Sequence, residues 1–300
     1  MTTTIATTLP LNNGVAMPAL GFGVFQTSPT DTVSSVVEAI RVGYRLIDTA
    51  AIYGNEREVG EAIRQSGIDR GELFVTTKLW ISEYGDEDAV RRACDRSLAK
   101  LGLDYIDLYL LHWPLHDDFE ATVSSYKGLE QLLADGKVRA IGVSNFSAEH
   151  LDSLIDQVSV TPAVNQIELH PYFSQNDMRA VHADKGIVTQ AWSPLGAVAI
   201  YEADNEHPAR HLLDETVPKD IGAAHGKSPA QVILRWHLQQ GIAVIPKSVK
   251  PKRIDENADL FDFSLSDDEM RQIDTLETGV RGGYAPEEGS REQFPAVVID

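Results

Sequence analysis

The amino-acid sequence predicts an α/β fold: a (β/α)8 TIM barrel with an N-terminal β-hairpin and long loops at its C-terminal face. Three observations point there. Eight short apolar runs alternate with longer amphipathic ones along 300 residues. Most of the apolar runs are rich in Val, Ile and Leu, as parallel strands covered on both faces should be. No Pro/Ser/Gly-rich linker divides the chain, so one domain spanning 1–300 is expected, against a two-domain doubly wound alternative.

The elements follow in order. Residues 9–15 around Asn12-Asn13-Gly14 predict a hairpin that caps the bottom of the barrel. A strand at 19–24 precedes a helix at 31–42, with Asp31 as a candidate N-cap and Gly43 as its stop. Strands at 45–48, 73–78 and 106–111 alternate with helices at 56–65, 86–100 and 119–134, the last stopped by Asp135-Gly136. Strands at 140–143, 164–168, 188–192 and 243–246 follow, with helices at 147–157, 176–184 and 228–239. Ser228-Pro229 opens one helix, and Ser266-Asp-Asp-Glu269 opens a last one at 266–276 with a capping-box pattern. Two irregular stretches, 193–213 and 277–300, are long enough to be binding loops or lids.

Charge narrows the partners. Lys plus Arg number 26 and Asp plus Glu 45, a net charge of −19 that repels polyanions. Nucleic acid and anionic membrane are therefore excluded as expected partners, and an anionic ligand needs a local basic pocket. The single cysteine, Cys94, sits in a helical pattern as an inert thiol and cannot form an intrachain disulfide. Residues 1–11 carry no basic and apolar leader, and no window nears the ~18 apolar residues of a membrane span. A cytoplasmic monomer is the expectation.

Barrel chemistry sits at the C-terminal ends of the strands and in the loops beyond them. Asp48 ends the second strand, Tyr53 lies in its loop, Lys78 ends the third and His112 follows the fourth. Tyrosine is a reluctant acid at neutral pH, with a reference pKa near ~10. A nearby cation such as Lys78 favours tyrosinate, Asp48 can balance a buried ammonium, and His112 can orient a substrate oxygen. Each residue alone has an ordinary alternative: a strand-end cap, a loop aromatic, a snorkelling lysine, a structural histidine. Together on one rim they suit general acid catalysis at an oxygen that acquires negative charge.

Two other signals bear on ligands. Lys247-Ser-Val-Lys250-Pro-Lys252-Arg253 gathers four basic residues after the eighth strand, where barrels often bind phosphate. Gly21-Phe-Gly23 is not a dinucleotide fingerprint, because Gln26 stands where a third glycine belongs. His112 and His116 have a His-x3-His spacing, but Pro114 between them interrupts any helix, so no metal is expected.

The motifs Gly43-Tyr-Arg-Leu-Ile-Asp48, Tyr53-Gly-Asn-Glu56, Lys78-Leu-Trp80, Leu111-His112-Trp-Pro114, Gly142-Val-Ser-Asn-Phe146 and Ile245-Pro-Lys-Ser-Val249 with Arg253-Ile-Asp-Glu-Asn257 resemble the aldo-keto reductase family. Within it the chain is most similar to the bacterial 2,5-diketo-gluconate reductase type. The resemblance implies a catalytic tetrad of Asp48, Tyr53, Lys78 and His112, NADPH as hydride donor, and reduction of an aldehyde or ketone. It implies that Ser144, Asn145 and Gln166 bind the nicotinamide carboxamide. Trp192 would stack on that ring, where many relatives carry Tyr. Ser193 and Leu195 would begin a loop over the pyrophosphate. Lys247, Ser248 and Arg253 would hold the 2′-phosphate, and Glu256 and Asn257 the adenine. Phe25, Trp80 and Trp113 would form an aromatic substrate wall. Two rival functions stay open, a hydrolytic barrel enzyme and a non-catalytic cofactor-binding subunit.

Overall fold

The computed structural model describes residue 5, residues 7–196 and residues 211–294. A hairpin of β1 (Thr8–Pro10) and β2 (Ala16–Pro18) comes first. Its turn closes where Leu11 N–H donates to Val15 O at 2.8 Å, and Gly14 supplies the positive φ of 84° that the turn requires. The hairpin plugs the bottom as expected. Asn12 Nδ2 donates to Pro162 O at 3.1 Å and Asn13 Nδ2 to Arg139 O at 2.9 Å, both at the N-terminal ends of later strands.

Eight parallel strands follow among the described residues: β3 (Gly21–Gly23), β4 (Leu46–Asp48), β5 (Phe74–Leu79), β6 (Ile106–Leu111), β7 (Val138–Ser144), β8 (Val164–Glu168), β9 (Val188–Trp192) and β10 (Ala243–Val244). Each pairs with its neighbour in chain order. Leu20 bridges Val244, and Gly23 N–H donates to Pro246 O at 3.1 Å, so the last strand returns to the first and the barrel closes. Gly21 leaves room for an interior side chain: a Cβ there would lie 2.4 Å from Leu46 Cδ2, which would have to shift.

Helices α1 (Pro29–Val42), α2 (Glu56–Ser66), α3 (Glu87–Leu101), α4 (Phe119–Ala134), α5 (Ala148–Ile155), α6 (Asn176–Lys185), α7 (Thr216–His225), α8 (Pro229–Gln239), α9 (Pro251–Ala258) and α10 (Asp267–Asp274) surround the strands. Their apolar faces form the larger core with the outward side chains of the strands. The sequence patterns place most of them within one or two residues. One difference is the start of α1, which is capped by Ser28 with Pro29 in its first turn, while Asp31 is the residue whose N–H receives the cap. Another is α7, which the sequence pattern does not reveal. Pro218 sits inside it and no side chain caps it, so the usual start signals are missing.

Strand periodicity positions the site. Alternate residues face the barrel interior. Leu46, Phe74, Leu108, Leu110, Ala140, Val164, Ala243 and Ile245 fill the interior with Leu11 and Met17 from the hairpin. Counting on by twos from this apolar plug reaches Asp48, Lys78, His112, Ser144, Gln166 and Trp192. The same register that buries the plug therefore raises a crown of polar groups above it.

Candidate active site

Four expected residues meet at the crown. Lys78 is fully buried, and its Nζ donates to Asp48 Oδ1 at 2.7 Å and to Thr49 O at 3.0 Å. It also reaches the Tyr53 hydroxyl at 3.4 Å. Tyr53 is set there by a 3-10 turn, Ala51–Tyr53, that follows β4 directly. Asn55 fixes this turn from below. Its Nδ2 donates to Val24 O at 2.9 Å and its Oδ1 accepts from Thr49 Oγ1 at 2.8 Å, so it ties the loops after β3 and β4 together. The His112 ring stands edge-on to Tyr53, with centroids 5.6 Å apart.

Burial pushes the Tyr53 phenol up; Lys78 pulls it down but Asp48 opposes, and the net direction is up. The expectation that Lys78 lowers it holds for that one interaction, not for the sum. Burial pulls the Lys78 ammonium down, yet Asp48 and Tyr53 outweigh burial and keep it charged. Burial and then Lys78 hold His112 well below the usual imidazole range. His112 is thus a neutral ring at pH 7. Its Nδ1, like Nε1 of Trp80, is buried without a protein partner among the described residues.

The other expected residues cluster by strand end. Gln166 Nε2 donates to Asp48 Oδ2 at 2.7 Å and to Gln190 Oε1 at 2.8 Å, so Gln166 holds the second oxygen of the carboxylate that Lys78 neutralises. Asn145, at φ 63°, donates from Nδ2 to His112 O at 2.9 Å and accepts from Trp192 Nε1 at 2.8 Å. Ser144 Oγ donates to Gln166 O at 2.8 Å. Ser193 and Leu195 follow Trp192 in a turn closed by Gly196 N–H to Ser193 O at 2.9 Å; the rest of that loop, 197–210, lies outside the described residues.

Lys247, Lys250, Lys252 and Arg253 are exposed after β10, and among the described residues none pairs with a carboxylate. Ser248 is buried between them and its Oγ accepts from Lys250 N–H at 3.1 Å. Arg253 lies in the first turn of α9, Glu256 is half-buried and Asn257 is buried on the same helix. Unneutralised cations at a helix start suit an anion, on an otherwise acidic chain.

The Phe25 ring lies tilted against Tyr53 with centroids 4.9 Å apart and is 42% exposed, so it stands at the mouth. Trp80 lies 5.1 Å from His112. Phe294 lies 5.5 Å from Trp80 and 5.1 Å from Trp113, and Tyr284 lies 5.4 Å from Phe294. Phe294 and Tyr284 come from the terminal stretch, part of which was expected to serve as a binding loop or lid, but their place in the wall is not readable from spacing. Glu168 was also missed, although it ends β8 and the strand-end search that found Asp48 applies to it equally.

Comparison with known proteins gives one answer. Residues 19–278 match the model of the aldo/keto reductase family. The chain belongs to this family. Its barrel, polar crown and basic turn are thus those of an aldo/keto reductase-family oxidoreductase. Morphine 6-dehydrogenase of Pseudomonas putida is 55% identical over 96% of this chain and 97% of its own length. Glyoxal reductase of Bacillus subtilis is 46% identical over 96% and 99%. Among solved structures, a Bombyx mori aldo-keto reductase in complex with NADP superposes with a TM-score of 0.86 at 34% identity, covering 95% of this chain and 97% of that one.

Proposed function

We propose that this aldo/keto reductase-family enzyme reduces an aldehyde or ketone to an alcohol with NADPH, with Tyr53 as the general acid. The observation that carries the reading is the buried Lys78 ammonium, shared between Asp48 at 2.7 Å and the Tyr53 hydroxyl at 3.4 Å. The residues fit the cofactor. Trp192 offers a half-exposed flat face beside Ser144, Asn145 and Gln166. The free cations of 247–253 suit a ribose phosphate, and Arg253 can grip it with two N–H groups. The Bombyx mori relative was solved with NADP, which supports the same choice.

When bound, NADPH supplies a hydride to the carbonyl carbon. Tyr53 donates its phenolic proton to the carbonyl oxygen as negative charge develops there. The raised pKa keeps that proton in place until the oxygen becomes basic enough to take it. Lys78 then stabilises the tyrosinate left behind, and Asp48, held by Gln166, keeps the ammonium charged and pointed at Tyr53. Neutral His112 orients the substrate oxygen. Phe25, Trp80 and Trp113 close the site around an apolar body.

Absorbance at 340 nm, followed with NADPH and a panel of aldehydes, ketones and keto acids, tests the reading. Oxidation of NADPH that depends on a carbonyl compound is expected. Binding of NADPH without any turnover across the panel would favour the cofactor-binding subunit instead.

A further inference from the structure

Glu168 ends β8 with no exposure to solvent. A buried carboxylate is costly unless charge or hydrogen bonds compensate it. Here the compensation comes from the terminal segment. Oε1 accepts from Gly282 N–H at 2.8 Å and Oε2 from Gly283 N–H at 2.9 Å. His170 Nε2 lies 3.1 Å from Oε1, and the Arg281 guanidinium lies 3.9 Å from Oε2 while standing over the Phe173 ring at 4.6 Å. Arg281 is thus turned onto the protein's own carboxylate.

The segment is held on both sides of this pin. Before it, Thr278 N–H donates to Tyr172 O at 3.0 Å. Beyond it, His116 N–H donates to Gly289 O at 2.8 Å, and Phe294 lands on Trp80 and Trp113. The chain therefore runs from the rim of β8 to the loops after β5 and β6, and its far end completes the aromatic wall.

We propose that Glu168 is a positioning residue: by binding two successive backbone N–H groups it fixes the terminal segment as a wall of the substrate pocket, and so tunes the enzyme toward bulky apolar carbonyl compounds. The proposal rests on the reductase reading for its substrate consequence, but not for the pin itself. A carboxylate suits the pin because both its oxygens accept. In Glu168→Gln one accepting oxygen becomes an NH2 group facing an N–H donor, and that contact turns repulsive.

Hydrogen exchange on the full-length protein, without cofactor or substrate, reads the pin directly. Slow exchange at the amides of Gly282 and Gly283 is expected in the native protein, and loss of that protection in Glu168→Gln with helices α2–α4 unchanged. Steady-state kinetics then read the wall with two probes, 4-nitrobenzaldehyde and methylglyoxal. In Glu168→Gln, KM for 4-nitrobenzaldehyde should rise about tenfold, as for loss of a well-packed contact, with kcat and NADPH affinity little altered and methylglyoxal less affected. Phe294→Ala should raise the same KM from the other end of the wall while leaving the two glycine amides protected. Rapid exchange of these amides in the native protein overturns the pin, whether or not Glu168→Gln folds. An equal rise of KM for both probes, or none in Phe294→Ala, overturns the wall. Absence of any NADPH oxidation would refute the reductase reading, while the exchange result still decides the pin.

Discussion

The Lys78 ammonium approaches the Tyr53 hydroxyl at 3.4 Å, while it binds Asp48 at 2.7 Å. The shorter contact holds the charge; the longer one leaves the phenol free to keep its proton. This asymmetry suits the carboxylate and phenol partners of one lysine to the proposed roles of counter-ion and acid.

Tyr53→Phe keeps the ring contact with Phe25 and removes the proton. Turnover should fall by about 10²–10⁴-fold, the usual contribution of general acid catalysis, with NADPH affinity retained. Steady-state kinetics together with a fluorescence titration check this. Near-normal turnover in the folded variant would remove Tyr53 from the mechanism.

Lys78→Met should be as damaging as Tyr53→Phe, because the tyrosinate then forms in a buried site without a cation. Asp48→Asn should do less harm, since Thr49 O still accepts from the ammonium. The Lys78→Met/Tyr53→Phe double variant should be little worse than either single one. Multiplying losses would mean that the two side chains act independently.

His182 gives a pH prediction for stability. Burial lowers it from 6.5 to about 4 while it bonds Thr189 at 2.8 Å and Asn165 at 2.9 Å. The unfolded chain takes up a proton below pH 6.5 that the folded chain refuses until about pH 4, so stability falls with pH across that window. Urea unfolding at pH 7.5 and pH 5 should differ by roughly 2 kcal/mol more in the native protein than in His182→Gln. Equal pH slopes for the two proteins would contradict this.

Arg253→Ala should weaken NADPH strongly and NADH little, because NADH carries no 2′-phosphate. A charge-assisted hydrogen bond contributes on the order of 1.5–3 kcal/mol, or roughly 10- to 150-fold in affinity. Fluorescence titration of both cofactors decides it. Equal weakening of the two would show that Arg253 shapes the turn after β10 rather than binding phosphate.

The barrel was legible because its signals are local. A run rich in Ile and Leu marks β6, and Ser-Pro or Ser-Asp-Asp-Glu marks the starts of α8 and α10. The tetrad was legible because each member ends a strand or follows one. What the pattern hid depends on distant contacts. Helix α7 starts with no capping side chain. Two partners of Glu168, Gly282 and Gly283, lie more than a hundred residues away. The aromatic wall needs Phe294, whose place follows from the path of the terminal segment and not from its spacing. The net rise of the Tyr53 pKa follows from burial, which only the assembled crown supplies.

The central claim is carbonyl reduction by hydride from NADPH with a proton from Tyr53. Mass spectrometry of the alcohol formed from 4-nitrobenzaldehyde and NADPH dideuterated at C4 tests it most directly. One deuterium on the carbinol carbon is expected, formed rapidly by the native protein and about 10²–10⁴-fold more slowly by Tyr53→Phe. An alcohol without deuterium, or an equal rate in Tyr53→Phe, would contradict the account.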